Sequence, residues 1–173
     1  MRLFVAVHPP DDVVDLLRRL PRPEEPAVRW TTQPQWHVTL RFLGAVGDPG
    51  QVADALTSVP AAVRAAGVGE VHAALGPASA WFEGRRILQV PVAGLDELAG
   101  AVAGATAGWG EPSTARFVGH LTLARVRGRG RGDRSWAGTS IEASWLVDRF
   151  ELMSSQLGRG GARYDTQATV SLT

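Results

Sequence analysis

The chain has 173 residues, of which 45% are hydrophobic and 20% charged, and this composition is typical of a folded soluble domain. It contains no cysteine, which excludes disulfide bonds and thiolate metal ligands. All 18 basic residues are arginine, and the net charge of +1 gives no overall field that would attract nucleic acid. The apolar segment 1–7 is too short for a signal peptide or a membrane span. We expect a cytoplasmic monomer that is not bound to a membrane.

The first half of the chain predicts short strands that alternate with helices. Asp11 and Asp12 precede apolar residues at helical spacing, and Asp48-Pro49 supplies an N-cap and a first turn for a second helix. A proline-rich stretch breaks the chain at 21–26. The predicted elements are a strand at 2–7, a helix from 11 through the apolar residue at 20, an extended piece at 29–30, a strand at 36–43 and a helix from 48 to about 59.

The second half of the chain continues the same mixture. The predicted elements are strands at 68–75 and 87–92, a small-residue helix at 95–107, a strand at 117–125, a loop at 128–133, a long strand at 145–154 and a closing strand at 164–172. Helices that separate pairs of strands predict an α+β fold. Because no low-complexity linker divides the chain, we expect a single domain over 1–173.

One short pattern occurs twice. The segment His37-Val38-Thr39-Leu40 is echoed by His120-Leu121-Thr122-Leu123, and each copy lies in a predicted strand. Because side chains alternate along a strand, each histidine shares one face with its threonine, while the apolar residues take the face that packs into the core. The repeat predicts two interleaved lobes related by a pseudo-two-fold axis, each contributing one such strand to a shared cleft.

Two histidines and two threonines that face one cleft suit acid and base chemistry at phosphorus. One neutral imidazole can take a proton from water while a protonated imidazole gives one to the leaving oxygen, although the pattern alone does not say which ring has which role. The hydroxyls of Thr39 and Thr122 can donate to the non-bridging oxygens of a phosphate. By strict alternation Arg125 lies on the opposite face, so it needs a bulge, a strand end or its long side chain to reach the phosphate.

Other kinds of catalytic site have less support in the sequence. No Asp, Glu or Cys stands at metal-ligand spacing around His37 or His120, and there is no Gly-x-Ser-x-Gly segment that would predict a serine nucleophile. The two remaining histidines, His8 and His72, lack the pattern and are expected to be structural or exposed. We therefore predict no metal at this site.

Several further segments complete a family pattern. They are Arg2-Leu3-Phe4-Val5-Ala6-Val7, Arg29-Trp30, Arg41-Phe42-Leu43-Gly44 after the first motif, Arg116-Phe117 before the second, Ala124-Arg125 after it, Phe150-Glu151-Leu152 with Ser154 or Ser155, Gly161 and Tyr164. With the two histidine motifs, the chain resembles the 2H phosphoesterase superfamily, and within it the RNA 2′,3′-cyclic phosphodiesterases known as 2′-5′ RNA ligase-like proteins. The resemblance implies a bilobal α+β fold with antiparallel sheets that flank a central cleft and helices outside.

The resemblance also implies a reaction. It is the hydrolysis of a 2′,3′-cyclic phosphate at an RNA end to a 2′-phosphomonoester, with a weak reverse 2′-5′ ligation. By the same resemblance His37 is the proton donor and His120 the proton acceptor, Thr39 and Thr122 hold the phosphate, and Arg125 lies beside it. The resemblance implies neither a metal nor an organic cofactor. One departure is Gly119, since the family commonly has proline before the second histidine, and we expect His120 to be less rigidly set as a result.

Three more residues are candidates for contacts with the substrate. Phe42 follows the first motif and could stack on a base, although a core or rim position is the simpler interpretation. Arg127 and Arg129 begin a basic loop, 127–134, that could bind an RNA backbone or could be a solvated turn. Two other functions stay open: an esterase for a related small cyclic phosphate, and a catalytically idle module that binds RNA ends.

Overall fold

Ten strands and four helices make up the part of the chain described by the computed structural model, which covers residues 1–82, 84–110, 116–158 and 161–173. The helices are α1 (Asp11–Arg18), α2 (Pro49–Leu56), α3 (Val59–Ala65) and α4 (Asp96–Ala105). The strands are β1 (Arg2–Val7), β2 (Val28–Trp30), β3 (Val38–Ala45), β4 (His72–Leu75), β5 (Ala80–Phe82), β6 (Ile87–Ala93), β7 (His120–Val126), β8 (Ala143–Leu146), β9 (Arg149–Gly158) and β10 (Gly161–Ser171).

All the strands pair antiparallel in one connected sheet. The order is β10-β9-β1-β3-β7-β6-β4-β8, and β2 and β5 add to β7 and β6. The two strands of the histidine motifs, β3 and β7, are neighbours at the centre, where Val38 pairs with Leu121. The predicted α+β fold with antiparallel pairing is thus confirmed.

The helices and one face of the sheet share the main core. Val5 and Val7 of β1 are buried there in one cluster with Val13 and Leu17 of α1, the apolar face of that helix. On its other face, β1 carries Phe4, which packs in a small separate cluster with Ala6, Met153 and Tyr164. None of the helices within the described ranges is long and apolar enough to cross a membrane.

Several predicted elements differ from the structure. The helix that begins at 11 ends at Arg18, the strand expected at 68–75 begins at His72, and the strand expected at 117–125 begins at His120.

Two further elements are divided. The helix expected from 48 to 59 begins as predicted, with the Asp48 carboxylate accepting from the Gly50 N–H at 2.9 Å. It ends at Leu56, and α3 starts afresh at Val59, because Pro60 has no N–H to continue the first helix. The long strand expected at 145–154 is interrupted between β8 and β9.

The structure also contains a short strand that the sequence did not predict. β5 lies between the strands predicted at 68–75 and 87–92, and it pairs with β6 from Ala80 opposite Gln89 to Phe82 opposite Ile87. The strand has only three residues and follows Gly76-Pro77, so its alternation is too brief to stand out from a loop.

Candidate active site

A cavity of about 650 Å³ opens over the central strands, on the side of β1 that carries Phe4. The predicted site residues in its wall are His37, Thr39, Phe42, His120, Thr122 and Arg125. The other two candidates, Arg127 and Arg129, are exposed and lie outside this wall. The structure therefore brings both His-x-Thr pairs together on one cavity.

A β-bulge turns Arg125 toward the cavity. Along β7 and β6, Thr122 pairs with Gln89 and Ala124 pairs with Leu88, which leaves Leu123 as an extra residue. Leu123 and Ala124 are both buried, so the alternation restarts one residue later and Arg125 is exposed on the face of Thr122. Strict alternation would have hidden this arginine, and the bulge removes that obstacle.

The same bulge occurs in β3. Thr39 pairs with Ala6 of β1 and Arg41 pairs with Val5, so Leu40 is the extra residue. The shift exposes Phe42, which is 70% accessible to solvent. Phe42 stands at the position that matches Arg125 in the other copy. The repeated motif thus includes a repeated backbone irregularity, and the two copies differ in what it presents: an aromatic ring in one and a cation in the other.

Arg41 is used for structure. Its guanidinium is buried and donates to the Ala103 carbonyl at 2.6 Å and to the Trp109 carbonyl at 3.0 Å, which closes the end of α4. Its burial follows directly from the bulge at Leu40.

His37 stands one residue before β3 in an aromatic environment. The ring centroids of Phe4 and Tyr164 each lie 5.0 Å from that of His37, and the Tyr164 ring meets it edge-on at 87°. His8 lies 6.1 Å away, with its Nδ1 3.7 Å from a carboxylate oxygen of Glu151. His8 is therefore an ordered neighbour of His37, which the sequence did not suggest.

Burial controls the ionisation of His37. Removal from water lowers the pKa of the ring to about 4, with the neighbouring His8 acting in the same direction, as do Arg125 and His120 more weakly. The Gln35 carbonyl acts in the opposite direction, but Nδ1 is buried and has no hydrogen bond of normal geometry to any described residue. Without a bound anion the ring is therefore neutral at pH 7.

His120 is held differently. Its Nδ1 lies 2.9 Å from the carbonyl oxygen of Val118, which is an acceptor only, so the proton of the neutral ring is on Nδ1 and Nε2 is free to accept. The ring of Phe82, in β5, meets the imidazole edge-on with centroids 5.1 Å apart. These two contacts orient the ring.

No protein-family model and no curated protein matches the chain, but several solved structures do. The protein TT0787 of Thermus thermophilus superposes with a TM-score of 0.76 at 24% identity, over 99% of this chain and 98% of that one. Escherichia coli LigT, crystallised with NADP+, gives 0.72 at 24% identity over 99% and 98%. The MHV ns2 PDE domain gives 0.55 at 14% identity over 96% and 99%.

The chain shares its fold with these three proteins. Within this fold the departure at Gly119 has a steric reason. A Cβ atom on residue 119, a proline's included, would overlap the carbonyl oxygen of Val92, which belongs to the adjacent β6. Glycine lets the two strands approach, and the Val118 carbonyl and Phe82 hold the His120 ring in the absence of a proline.

Some residues of the cavity were not assigned a role from the sequence. Arg2 and Arg29 both lie in its wall, and Arg29 pairs across the strands with Arg125. The guanidinium of Arg29 covers Gly161, where a Cβ atom would overlap it. Arg2 and Arg29 both belong to segments of the family pattern quoted above. Only the pairing of β2 with β7 reveals that Arg29 and Arg125 are neighbours.

Proposed function

We propose that this chain is a phosphodiesterase that hydrolyses 2′,3′-cyclic phosphate ends of RNA to 2′-phosphomonoesters. The observation that carries the proposal is the convergence of both His-x-Thr pairs and Arg125 on one cavity. Structures with the same fold add support, since LigT has been crystallised with 3′-AMP, with ATP and with phosphate, all of which contain phosphate groups.

In the proposed reaction His120 activates the water. The Val118 carbonyl keeps the proton of the neutral ring on Nδ1, so Nε2 can take a proton from a water molecule as its oxygen attacks phosphorus. His37 would enter the step protonated and give its proton to the 3′ oxygen as the bond between phosphorus and that oxygen breaks. The product is a 2′-phosphomonoester with a free 3′ hydroxyl, and solvent returns the proton from His120 to His37.

The low pKa of His37 makes this assignment depend on the substrate. In the free protein at pH 7 His37 is neutral, and in that state it cannot donate a proton to a leaving oxygen. The anionic phosphodiester would bring a negative charge beside the ring and neutralise the effect of Arg125, and both changes raise the pKa. Binding of the phosphate would thus raise the pKa of His37 and allow this ring to be the proton donor.

The remaining cavity residues would bind the substrate. The hydroxyls of Thr39 and Thr122 would donate to the non-bridging oxygens, and Arg125 would add a charge-assisted hydrogen bond. Phe42, exposed on the opposite copy of the bulge, would contact the terminal base. No step requires a metal or a cofactor, so we expect full activity in EDTA, and activity that EDTA abolishes and zinc restores would contradict the mechanism.

A second candidate is an esterase for a small cyclic phosphate. The volume of about 650 Å³ suits a single nucleotide, and Arg127 and Arg129 lie outside the wall, so the cavity itself makes no demand for a longer chain. A cyclic mononucleotide turned over as well as a cyclic-ended oligonucleotide would favour this candidate.

The decisive experiment identifies the product isomer. A 2′,3′-cyclic-ended oligonucleotide is incubated with the protein, and the terminal phosphate is located by phosphorus NMR and by sensitivity to a phosphatase. We expect only the 2′-phosphomonoester. A 3′-phosphomonoester would contradict the assignment of the leaving oxygen, and binding without any turnover would indicate an idle RNA-end module.

A further inference from the structure

A strongly basic surface lies beside the cavity. Arginine alternates with glycine from 127 to 132, and two more arginines end the turn between β5 and β6. We call the group the arginine surface, and its members are Arg85, Arg86, Arg127, Arg129, Arg131 and Arg134. A third of the 18 basic residues in a chain of net charge +1 are thus concentrated in one region.

The loop that carries most of these arginines is anchored. Gly132 and Arg85 exchange two hydrogen bonds, from the Gly132 N–H to the Arg85 carbonyl at 2.8 Å and from the Arg85 Nε to the Gly132 carbonyl at 3.1 Å. The indole N–H of Trp81 donates to the Asp133 carbonyl at 2.9 Å. A Cβ atom at 132 would overlap the Trp81 ring, so only glycine allows this contact. The backbone is therefore held against the β5–β6 turn before any ligand binds.

Within the described part of the chain the arginine surface forms no salt bridge, although the charge of Arg85 acts on Asp133. The carboxylate within the loop, Asp133, instead accepts from the N–H and the hydroxyl of Ser135, both at 2.8 Å. Like charges gathered in one place repel each other, and a polyanion would relieve that repulsion.

The surface continues directly from the cavity. Arg127 comes two residues after Arg125, directly beyond the end of β7. The Val126 N–H donates to the Arg86 carbonyl at 2.8 Å. Ile87 pairs with Arg125, so the β5–β6 turn stands at the edge of the site. An RNA strand whose cyclic end lies at His120 would leave the cavity past Arg125 and reach the arginine surface next.

We propose that the arginine surface binds the phosphate backbone of the RNA strand that leads to the cyclic end. Guanidinium groups bind phosphate through paired hydrogen bonds, and an anchored loop loses little conformational entropy when it does so. The inference rests on the proposed function and deepens it, because it locates the preference for RNA over a cyclic mononucleotide outside the catalytic cavity. It extends the two loop candidates to Arg85 and Arg86, which only the pairing of β6 with β7 brings beside the loop.

The test compares one double variant with a matched control. Arg127→Gln/Arg129→Gln removes two charges from the surface, and Arg19→Gln/Arg64→Gln removes two exposed charges from the helical side. Each lost phosphate contact should reduce the slope of log KM against log salt by about 0.7, so we expect a reduction of about 1.4 for a cyclic-ended oligonucleotide. The slope for a cyclic mononucleotide should not change. The control should leave both slopes alone, and Arg127→Lys/Arg129→Lys should restore most of the oligonucleotide slope.

A binding measurement keeps this test separate from the proposed function. An oligonucleotide that already ends in a 2′-phosphate cannot be hydrolysed, so its affinity by fluorescence anisotropy reports on the surface even if the protein proves to have no turnover. Equal salt slopes for the loop variant and the control would overturn the inference. So would an equal loss on the cyclic mononucleotide, or anionic lipid vesicles that bind the wild type more tightly than the RNA does and lose that binding in the loop variant.

Discussion

The two copies of the histidine motif share a backbone and differ in their surroundings. Both have a histidine at the start of a strand, a threonine two residues on and a bulge at the leucine after it. The first copy lies among aromatic rings, where burial lowers the pKa of His37 to about 4. In the second copy a backbone carbonyl fixes the tautomer of His120. The repeat provides symmetric geometry, and the neighbouring residues make the two rings chemically different.

The chemical difference between the rings matters for catalysis. Two identical histidines would share one proton evenly, and neither would be committed to a role. Before substrate arrives, burial lowers the pKa of His37 and the Val118 carbonyl fixes the tautomer of His120. Substitutions at the two rings test this difference between them, and the largest expected effect is on turnover.

Replacing either His37 or His120 by glutamine should lower kcat by about 10²–10⁴-fold, because each removes one positioned proton transfer. The double variant should lose much less than the product of the two losses, since the rings act in one step. The measurement is the initial rate on a 2′,3′-cyclic substrate.

His72→Gln is the matched control for those variants. His72 is an exposed histidine on β4, where its Nε2 lies 3.2 Å from a Glu70 carboxylate oxygen. Its replacement should leave kcat unchanged. A fall of similar size in the His72 variant, or independent and fully additive losses for His37 and His120, would contradict a concerted pair.

The burial of His37 should also appear in stability. Its folded pKa of about 4 is below the ordinary value of 6.5, so between these two values the unfolded chain binds the proton and the folded chain does not. The free energy of unfolding should therefore fall as the pH falls from 6.5 to 4, and this group alone accounts for about 3 kcal/mol of that fall.

Urea unfolding of the wild type and of His37→Gln across this range isolates the effect, because the other titrating groups are common to both chains. Above pH 6.5 the difference between them should be constant, and toward pH 4 it should change in favour of the variant. A difference independent of pH would mean that the ring is hydrated, and the contrast between the two histidines would then fail.

Much of the site could be predicted from the sequence because it depends on local periodicity. The spacing of His37 to Thr39 and of His120 to Thr122 fixes which side chains share a face once each segment is a strand. The α+β class and most strands follow from the same patterns. The roles assigned to these residues stay predictions.

The rest depends on partner strands. A bulge is defined by two residues opposite one, so the extra Leu40 and Leu123 become visible only when the registers with β1 and β6 are known. Arg41, which follows a histidine motif, was indistinguishable in sequence from an arginine of the site until its carbonyl partners on α4 and beyond were in view. His8 was missed for the same reason, since its proximity to His37 arises from the pairing of β1 with β3.

The smallest expected effects come from replacing the two side chains that the bulges expose, Arg125 and Phe42. Arg125→Gln removes a charge-assisted hydrogen bond to phosphate, worth about 1.5–3 kcal/mol, so kcat/KM should fall by about 10- to 150-fold. Phe42→Ala removes a stacking surface and should raise KM by a smaller factor, with kcat nearly unchanged, because a base contact is equal in the ground and transition states. Steady-state kinetics on one cyclic-ended oligonucleotide measures both variants. If Phe42→Ala lowered kcat as much as Arg125→Gln, the two bulges would serve the reacting phosphate alike, and the division between a base side and a phosphate side of the cavity would be wrong.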